Sequence, residues 1–344
     1  NLLIYVQMNW EPEGGGYPHP KEELPTSKWT QAQAIDIETG KPVWSTECGG
    51  NIGSQPMSLK LEDDRDVFLL GRGGGHAPPE HPLGVSLVDA RDGSEIWKLA
   101  IEGYECRQTL PLYHGQTFII HNKEHWWVDI DSGEVTRKVS ITDDVMVRRR
   151  VDDQWISETV DLETSSKTYQ ITNQSNLFVG GYHFFRNYLH NYLGRVNTDT
   201  GEVEYLQLPV SMLREAGQSD RFLWNEGDQE MPPIKNFKVP TPPSYWTFRQ
   251  NTMLNSRGHQ VMGDVRSQGN GWGHVAAPIP TAIGEHLYVP IMNGMVFVID
   301  WDAEEFDEKA IVSINDLGPL GDAWTRGNLT FSNGKLFTQT IREL

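Results

Sequence analysis

The stretch QAIDIETGKPVW, residues 33–44, alternates apolar and polar residues on both sides of the tetrapeptide ETGK. This alternation predicts two β-strands, because successive side chains of a strand point to opposite faces. Gly40 lies where a tight turn needs a residue of positive φ, which glycine adopts at little steric cost. The stretch therefore predicts a β-hairpin closed by a glycine-containing turn.

The same order of strand, acidic residue, turn and strand recurs along the chain. The further copies are VSLVDARDGSEIW (85–97), WWVDIDSGEVTRKV (126–139), LGRVNTDTGEVEYL (193–206) and VFVIDWDAEEFDEKAIV (296–312). A second predicted hairpin lies upstream of most copies, so each unit has four antiparallel strands in roughly 45–60 residues. Such units are typical of β-propeller blades. The sequence thus predicts an all-β protein, a β-propeller of four-stranded antiparallel blades.

We expect seven blades, with six or eight as alternatives, in a single domain that covers residues 1–344. One degenerate blade is expected within 236–268, and the last begins at Asn328. Because the chain opens on Asn1, we also expect a product truncated or processed at its N-terminus. A pair of β-sandwiches is the alternative fold, but it offers no reason for the motif to repeat.

The segment AIDIETGKPVW (34–44) resembles the pyrroloquinoline-quinone-like repeat, in which an aspartate precedes a Thr-Gly turn and a tryptophan follows it. The resemblance is clearest at 33–44, 85–97 and 285–300, and weak at 142–168 and 207–270. It implies the propeller fold. The adjacent cysteines of the quinone-dependent dehydrogenases are absent, so pyrroloquinoline quinone is not expected as a cofactor. Cys48 and Cys106 fit two free thiols or one disulfide equally well.

Composition limits the partners. The chain has 47 acidic and 29 basic residues and a net charge of −18, which argues against nucleic acid because phosphate binding needs a basic face. Neither a membrane-spanning run nor a signal peptide is visible in the sequence. The repeats resemble those of periplasmic assembly-factor propellers, so we expect a periplasmic or secreted location.

Strand order predicts on which side of a blade each connection lies. If strands A to D run outward from the axis, the B–C loops and the D–A connections share one side, because neighbouring strands are antiparallel. The expected B–C loops are 7–30, GRGGGHAPPEHPLG (71–84) and GGYHFFRNYLHNYLG (180–194). The C–D turns ETGK, RDGS, DSGE and DTGE should form a plain rim on the other side. The run VRRRVDD (147–153) is expected to be a solvated face.

Arginine, histidine and aromatic residues are concentrated on the predicted B–C and D–A side. The candidate acid–base residues are His76, Tyr182, His183 and His274. The candidate ligand-binding residues are Arg72, His81, Arg107, Arg186, His190, Trp272, Trp324 and Arg326. We expect His76, His183 and His274 to meet in one cleft, where they could also hold a divalent metal ion.

Three functions fit these residues. The first is binding of an anionic ligand, a uronate- or carboxylate-bearing saccharide, because guanidinium groups pair with carboxylates. The second is a polysaccharide lyase or another carbohydrate-active enzyme that uses histidine or tyrosine as acid and base. The third is an assembly scaffold with a protein partner. The sequence favours the binding protein and leaves catalysis open.

Overall fold

The computed structural model describes residues 1–8, 25–46, 48, 56–73, 81–104, 106, 109–163, 171–187, 190–214, 216–225, 248–254, 260–264, 278–317, 325 and 327–340, with the backbone alone for 171–174, 248–254 and 260–264. The chain divides into two compact units. The first is residues 1–121 with 125–139, and the second is residues 122–124 with 140–344. No helix among the described residues is long and apolar enough to cross a bilayer.

The first unit holds three antiparallel sheets. Sheet 1 orders β1 (Leu2–Met8), β2 (Thr30–Asp36) and β3 (Pro42–Ser45). Sheet 2 orders β4 (Met57–Lys60), β5 (Asp66–Arg72), β6 (Gly84–Asp89) and β7 (Glu95–Ala100). Sheet 3 orders β8 (Leu112–Tyr113), β9 (Gln116–His121), β10 (Glu124–Asp129) and β11 (Val135–Ser140). A 3₁₀ turn covers Thr26–Lys28. Sheets 2 and 3 are thus four-stranded meanders in chain order, as the repeat predicts.

The C–D turns are built alike. In each, the glycine N–H donates to the carbonyl of the residue four positions before it, at 2.7–2.9 Å. These pairs are Gly40 with Asp36, Gly93 with Asp89, Gly133 with Asp129 and Gly201 with Asn197. The four glycines have φ of 67°, 76°, 74° and 80°. The side-chain oxygen of the first residue accepts a turn N–H in all four. The motif's acidic position therefore caps its own turn.

Tryptophan joins neighbouring sheets of the first unit. The Trp44 indole of sheet 1 lies against Gly93 and donates to the Ala90 carbonyl at 3.2 Å. Trp97 of sheet 2 repeats the contact one sheet further, at Gly133, and donates to the Ile130 carbonyl at 2.9 Å. A β-carbon at either glycine would lie within 2.6 Å of the indole, so a side chain has no room there. The repeat thus encodes both the turn and the packing of the next sheet.

The second unit begins with a six-stranded sheet. Sheet 4 orders β13 (Gln154–Val160), β12 (Val145–Val151), β17 (Val203–Gln207), β16 (Tyr192–Asn197), β15 (Tyr182–Asn187) and β14 (Ile171–Val179). Strands β14 to β17 form a meander, and the β12–β13 hairpin joins it through a parallel pairing of β12 with β17. The expected solvated face at 147–153 holds for the charged side chains, which are partly or fully exposed, but not for Val147, which is fully buried in β12.

The remaining strands of the second unit form four smaller sheets. Three of them are two-stranded: β18 (Ser211–Leu213) with β19 (Arg221–Leu223), β20 (Phe248–Leu254) with β21 (Gln260–Asp264), and β26 (Thr330–Ser332) with β27 (Lys335–Phe337). The fourth is a four-stranded meander of β22 (Thr281–Ile283), β23 (His286–Pro290), β24 (Met295–Asp300) and β25 (Ile311–Asp316). The meander β22–β25 is sheet 7. A 3₁₀ turn, Glu308–Ala310, precedes β25. Where the sequence predicts a blade at 236–268, the described residues form the two-stranded β20–β21 ladder.

Sheets 4 and 7 share one hydrophobic core. Phe184 and Leu193 of sheet 4 pack in the same buried cluster as Leu287 and Phe297 of sheet 7. Arg195 of β16 also crosses between them, bonded to Glu204 at 2.8 Å and to the Ala303 carbonyl at 2.8 Å. The two four-stranded meanders of this unit therefore pack directly on each other, although some 70 residues separate them in the chain.

Candidate functional site

The long connection from β5 to β6 is a B–C loop, as predicted, and Arg72 fixes its base. Arg72 is the last residue of β5 and pairs with Gly84 in the ladder. Its guanidinium donates to the Pro82 carbonyl at 2.9 Å and to the His81 carbonyl at 3.3 Å. It also donates to the Glu95 carboxylate at 2.9 Å. With only 2% of its side chain exposed, Arg72 braces the returning end of the loop.

His81 lies at that returning end, with its side chain exposed and its carbonyl held by Arg72. The rest of the loop, including His76, lies outside the described residues. So do Arg107, Trp272, His274, Trp324 and Arg326. The expected convergence of His76, His183 and His274, and the metal site based on it, stay predictions.

The stretch 180–194 is not the single long loop that the sequence predicts. It contains β15 and the start of β16, with Gly180 and Gly181 as the A–B turn and residues 188–191 as the B–C connection. Tyr182 and His183 therefore lie at the A–B end of their strand, away from the B–C connection. The physical reason is that successive side chains of YHFFRN point to opposite faces of sheet 4, and five of the six residues are buried. This aromatic segment is therefore a core strand.

His183 is fully buried, and its Nε2 lies 3.0 Å from the Asn176 side-chain oxygen. Burial lowers the pKa of His183 to about 3, so the imidazole is neutral at physiological pH. Tyr182, on the opposite face of the strand, lies under the guanidinium of Arg195, which is 4.5 Å from its ring centre. Both predicted acid–base residues of this strand therefore take part in packing.

Arg186 is also fully buried, near the B–C end of β15. Its guanidinium donates to the Pro278 carbonyl at 2.8 Å and to the Pro290 carbonyl, both at the margins of sheet 7. Burial lowers the pKa of Arg186 to about 9. Arg186 thus links sheet 4 to sheet 7 within the second unit, as Arg195 does.

His190 lies in the B–C connection of sheet 4 within a group of polar side chains. Its ring stacks on Tyr192, with the ring centres 5.1 Å apart. Arg149 of β12 lies next to the Tyr192 hydroxyl, and its guanidinium is paired with Glu158 of β13. Burial lowers the pKa of His190 and raises that of Tyr192, so both are neutral at pH 7. We call these four residues the His190 group.

Within the His190 group, Arg149 and Glu158 differ from the buried arginines in their exposure to solvent, whereas Tyr192 is only 7% exposed. The Arg149 side chain is 41% exposed and that of Glu158 is 33% exposed. A guanidinium, a carboxylate and a phenol thus lie side by side at the B–C end of one sheet. Only His190 was predicted from the sequence. Arg149 and Glu158 belong to a hairpin that the blade pattern does not contain, so no signal in the repeat points to them.

The described residues form an all-β architecture built from repeated antiparallel meanders. No family model matches the chain, and no curated protein sequence matches it. Solved structures similar to it include BamB from Moraxella catarrhalis, with 13% identity over 98% of this chain and 95% of that one, at a TM-score of 0.30. Sqt1 from Saccharomyces cerevisiae has 8% identity over 90% of this chain and 64% of that one, at 0.47.

Quinohemoprotein alcohol dehydrogenase from Comamonas testosteroni has 12% identity over 90% of this chain and 43% of that one, at a TM-score of 0.38. These likenesses are loose. The architecture of the chain rests on its own sheets, the repeated C–D turns and the tryptophan contacts between sheets.

Proposed function

We propose that this chain is a periplasmic or secreted β-propeller domain that binds a carboxylate-bearing saccharide through the B–C side of its blades. Seven blades, with six or eight as alternatives, are part of this proposal. The observation that carries the binding function is the His190 group, which combines a partly exposed arginine with neutral tyrosine and histidine at a B–C connection.

The arginines separate into two classes that decide which of them can meet a ligand. Arg72, Arg186 and Arg195 are at most 2% exposed and hold carbonyls or carboxylates of the chain itself. Arg149 is also paired with a carboxylate of the chain, that of Glu158, but 41% of its side chain is exposed, so its planar fork of donors can meet a ligand carboxylate as well. We therefore assign the ligand contact to Arg149 in place of Arg72 and Arg186.

Each member of the group has a chemical part in this proposal. Arg149 donates to the carboxylate of the ligand, while Glu158 accepts hydrogen bonds from sugar hydroxyls. The Tyr192 hydroxyl lies beside the arginine, and the stacked rings of Tyr192 and His190 form the apolar side of the site. A guanidinium–carboxylate pair that presents donors and acceptors together matches an acidic sugar, which carries both kinds of group.

Arg149→Gln tests the proposal, with Arg214→Gln as a matched control. Arg214 is 43% exposed and paired with Asp220, which is 34% exposed, so it has the same setting without the tyrosine and histidine. Binding of tri-galacturonate and of neutral cellotriose would be measured by isothermal titration calorimetry. We expect Arg149→Gln to weaken tri-galacturonate binding at least tenfold and Arg214→Gln to leave it unchanged.

Two results would overturn the function. One is equal weakening by both substitutions, which would mean that only the general charge of the protein matters. The other is no binding of either glycan by the wild-type chain, which would favour the scaffold with a protein partner.

A further inference from the structure

A polar cleft lies between sheets 1 and 2 of the first unit, apart from the His190 group. It has a volume of about 430 Å³ and is lined by Ser45, Thr46, Cys48, Asp92, Gly93, Ser94 and Glu95. Ligand pockets commonly measure about 300–1,000 Å³, so a small molecule fits. Thr46, Cys48 and Gly93 are buried and form the floor, while the other residues are exposed at the rim.

The walls of the cleft are fixed by hydrogen bonds of the protein. Ser94 donates both its N–H and its hydroxyl to Asp92 Oδ1, at 3.0 and 2.7 Å. The Cys48 N–H donates to the Thr46 hydroxyl oxygen at 3.2 Å. The Thr46 hydroxyl in turn donates to the Cys48 sulfur at 3.0 Å. The Ser45 hydroxyl donates to Gln31 at 2.8 Å.

Among the described residues, this pattern makes the lining poor in donors and rich in acceptors. The hydroxyl hydrogens of Ser45, Thr46 and Ser94 are all used within the protein, and each of these oxygens keeps lone pairs. Glu95 Oε2 accepts from Arg72 and Ser86, and Asp92 Oδ1 accepts from Ser94, which leaves each carboxylate a second oxygen for a ligand. A matching ligand must therefore bring hydrogen-bond donors.

The charges of the cleft select among such ligands. Glu95 is held by Arg72 at 2.9 Å and lies 3.7 Å from the Lys98 ammonium. Asp92 lies 3.9 Å from the Arg91 guanidinium. Because cations of the protein already balance both carboxylates, a ligand with a net charge of either sign gains little attraction from the cleft.

We infer that this cleft binds a small uncharged polyol of monosaccharide size through hydroxyl donors to Asp92, Glu95 and the rim serine oxygens. The site lies in a different unit from the His190 group and takes a neutral ligand, so it goes beyond the proposed function. Its geometry also gives it a reporter, because the Cys48 thiol lies on the floor beneath any bound molecule.

Three sugars with the same ring separate the ligand classes: glucose, glucosamine and glucuronate. Binding would be followed by saturation-transfer NMR and by the rate at which N-ethylmaleimide alkylates Cys48, with the peptide containing Cys106 as internal reference. We expect glucose to bind and to slow alkylation of Cys48 severalfold. Glucuronate should bind at least tenfold more weakly, and glucosamine no more tightly than glucose.

Ser94→Leu fills the mouth of the cleft, and Glu134→Leu, at the same turn position of sheet 3, is the control. Ser94→Leu should abolish glucose binding, and Glu134→Leu should preserve it. Glucose binding that survives Ser94→Leu, or a preference for glucuronate, would overturn the inference. So would the absence of glucose binding to the wild type at about 50 mM, a concentration that would half-saturate even a site with a Kd of about 50 mM. None of these results depends on Arg149, so they are independent of the test of the proposed function.

Discussion

The two ends of the antiparallel meanders are organised on different principles. At the C–D end, four turns from residues 36 to 202 have the same hydrogen bonds and the same positive φ at glycine. At the B–C end, the connections vary widely in length, from the two residues Asn122 and Lys123 in sheet 3 to residues 9–29 between β1 and β2 in sheet 1. Arg72 hydrogen-bonds to the connection between β5 and β6, and in the connection between β15 and β16 the His190 ring stacks on Tyr192.

The two ends differ in the sequence separation of the residues that interact there. A C–D turn is decided by about six consecutive residues, since the capping oxygen, the glycine and the strands on both sides are neighbours in sequence. A B–C connection depends on partners far away, such as Glu95 for Arg72 and Arg149 for the Tyr192–His190 stack. Substitutions at the two ends should therefore have different energetic signatures.

The largest effect is expected at the B–C end, for Arg72→Ala. The substitution removes a buried cation, leaves Glu95 with less compensation and frees the carbonyls of His81 and Pro82. We expect the free energy of unfolding to fall by about 3 kcal/mol, measured by urea denaturation. Arg91→Ala, with a side chain that is 81% exposed, should cost under about 0.5 kcal/mol. Equal losses of stability in the two variants would show that Arg72 does not stabilise the end of the loop.

The second effect concerns the C–D glycines and compares Gly93→Ala with Gly40→Ala. Both residues have positive φ, but a β-carbon at Gly93 would lie 2.6 Å from the Trp44 ring, whereas nothing lies within 4 Å of one at Gly40. Gly40→Ala should cost about 1 kcal/mol from backbone strain alone. Gly93→Ala should cost about 2 kcal/mol, because overpacking against the Trp44 ring adds to the strain. Similar losses at the two sites would mean that Trp44 moves away without cost.

These glycines also show what sequence could predict. The period of the repeat, the meanders and the turn glycines follow from local alternation and were predicted correctly. The burial of Arg72, His183 and Arg186 was not predicted, because a charged or polar residue is expected to be exposed when its partners are unknown. Those partners, Glu95, Asn176 and the Pro278 carbonyl, are 23, 7 and 92 residues away.

The β12–β13 hairpin was missed for a related reason. Its strands show the expected alternation, but the turn glycine and the tryptophan of the repeat are absent from it. The parallel pairing of β12 with β17 also joins residues that are 58 apart in the chain, such as Met146 and Glu204. The His190 group depends on this pairing, since it places Arg149 beside Tyr192. Only one of its four residues could therefore be identified in advance.

The third effect is a pH dependence that arises from His183. In the folded chain its pKa is lowered to about 3 by burial, while in the unfolded chain it is about 6.5. Below pH 6.5 the unfolded state binds a proton that the folded state does not, so stability falls as pH falls. The slope from this residue is at most about 1.4 kcal/mol per pH unit. The slope should diminish in His183→Gln between pH 6 and pH 4. If wild type and variant fall in parallel, His183 titrates in the folded protein.

The smallest effect returns to the C–D end, at Ser132→Ala. The Ser132 hydroxyl donates to Asp129 Oδ1 at 2.7 Å, and the backbone N–H of the same residue also donates to that oxygen, at 2.8 Å. Because the N–H bond survives the substitution and the site is exposed, the loss should be about 0.5 kcal/mol. Thr39→Ala should have a similar effect, since Thr39 makes the same two bonds to Asp36. Thermal unfolding of both variants would measure it. If one substitution lowered stability several times more than the other, the two C–D turns would differ in energy despite their shared geometry. That geometry would then depend on packing beyond the turn.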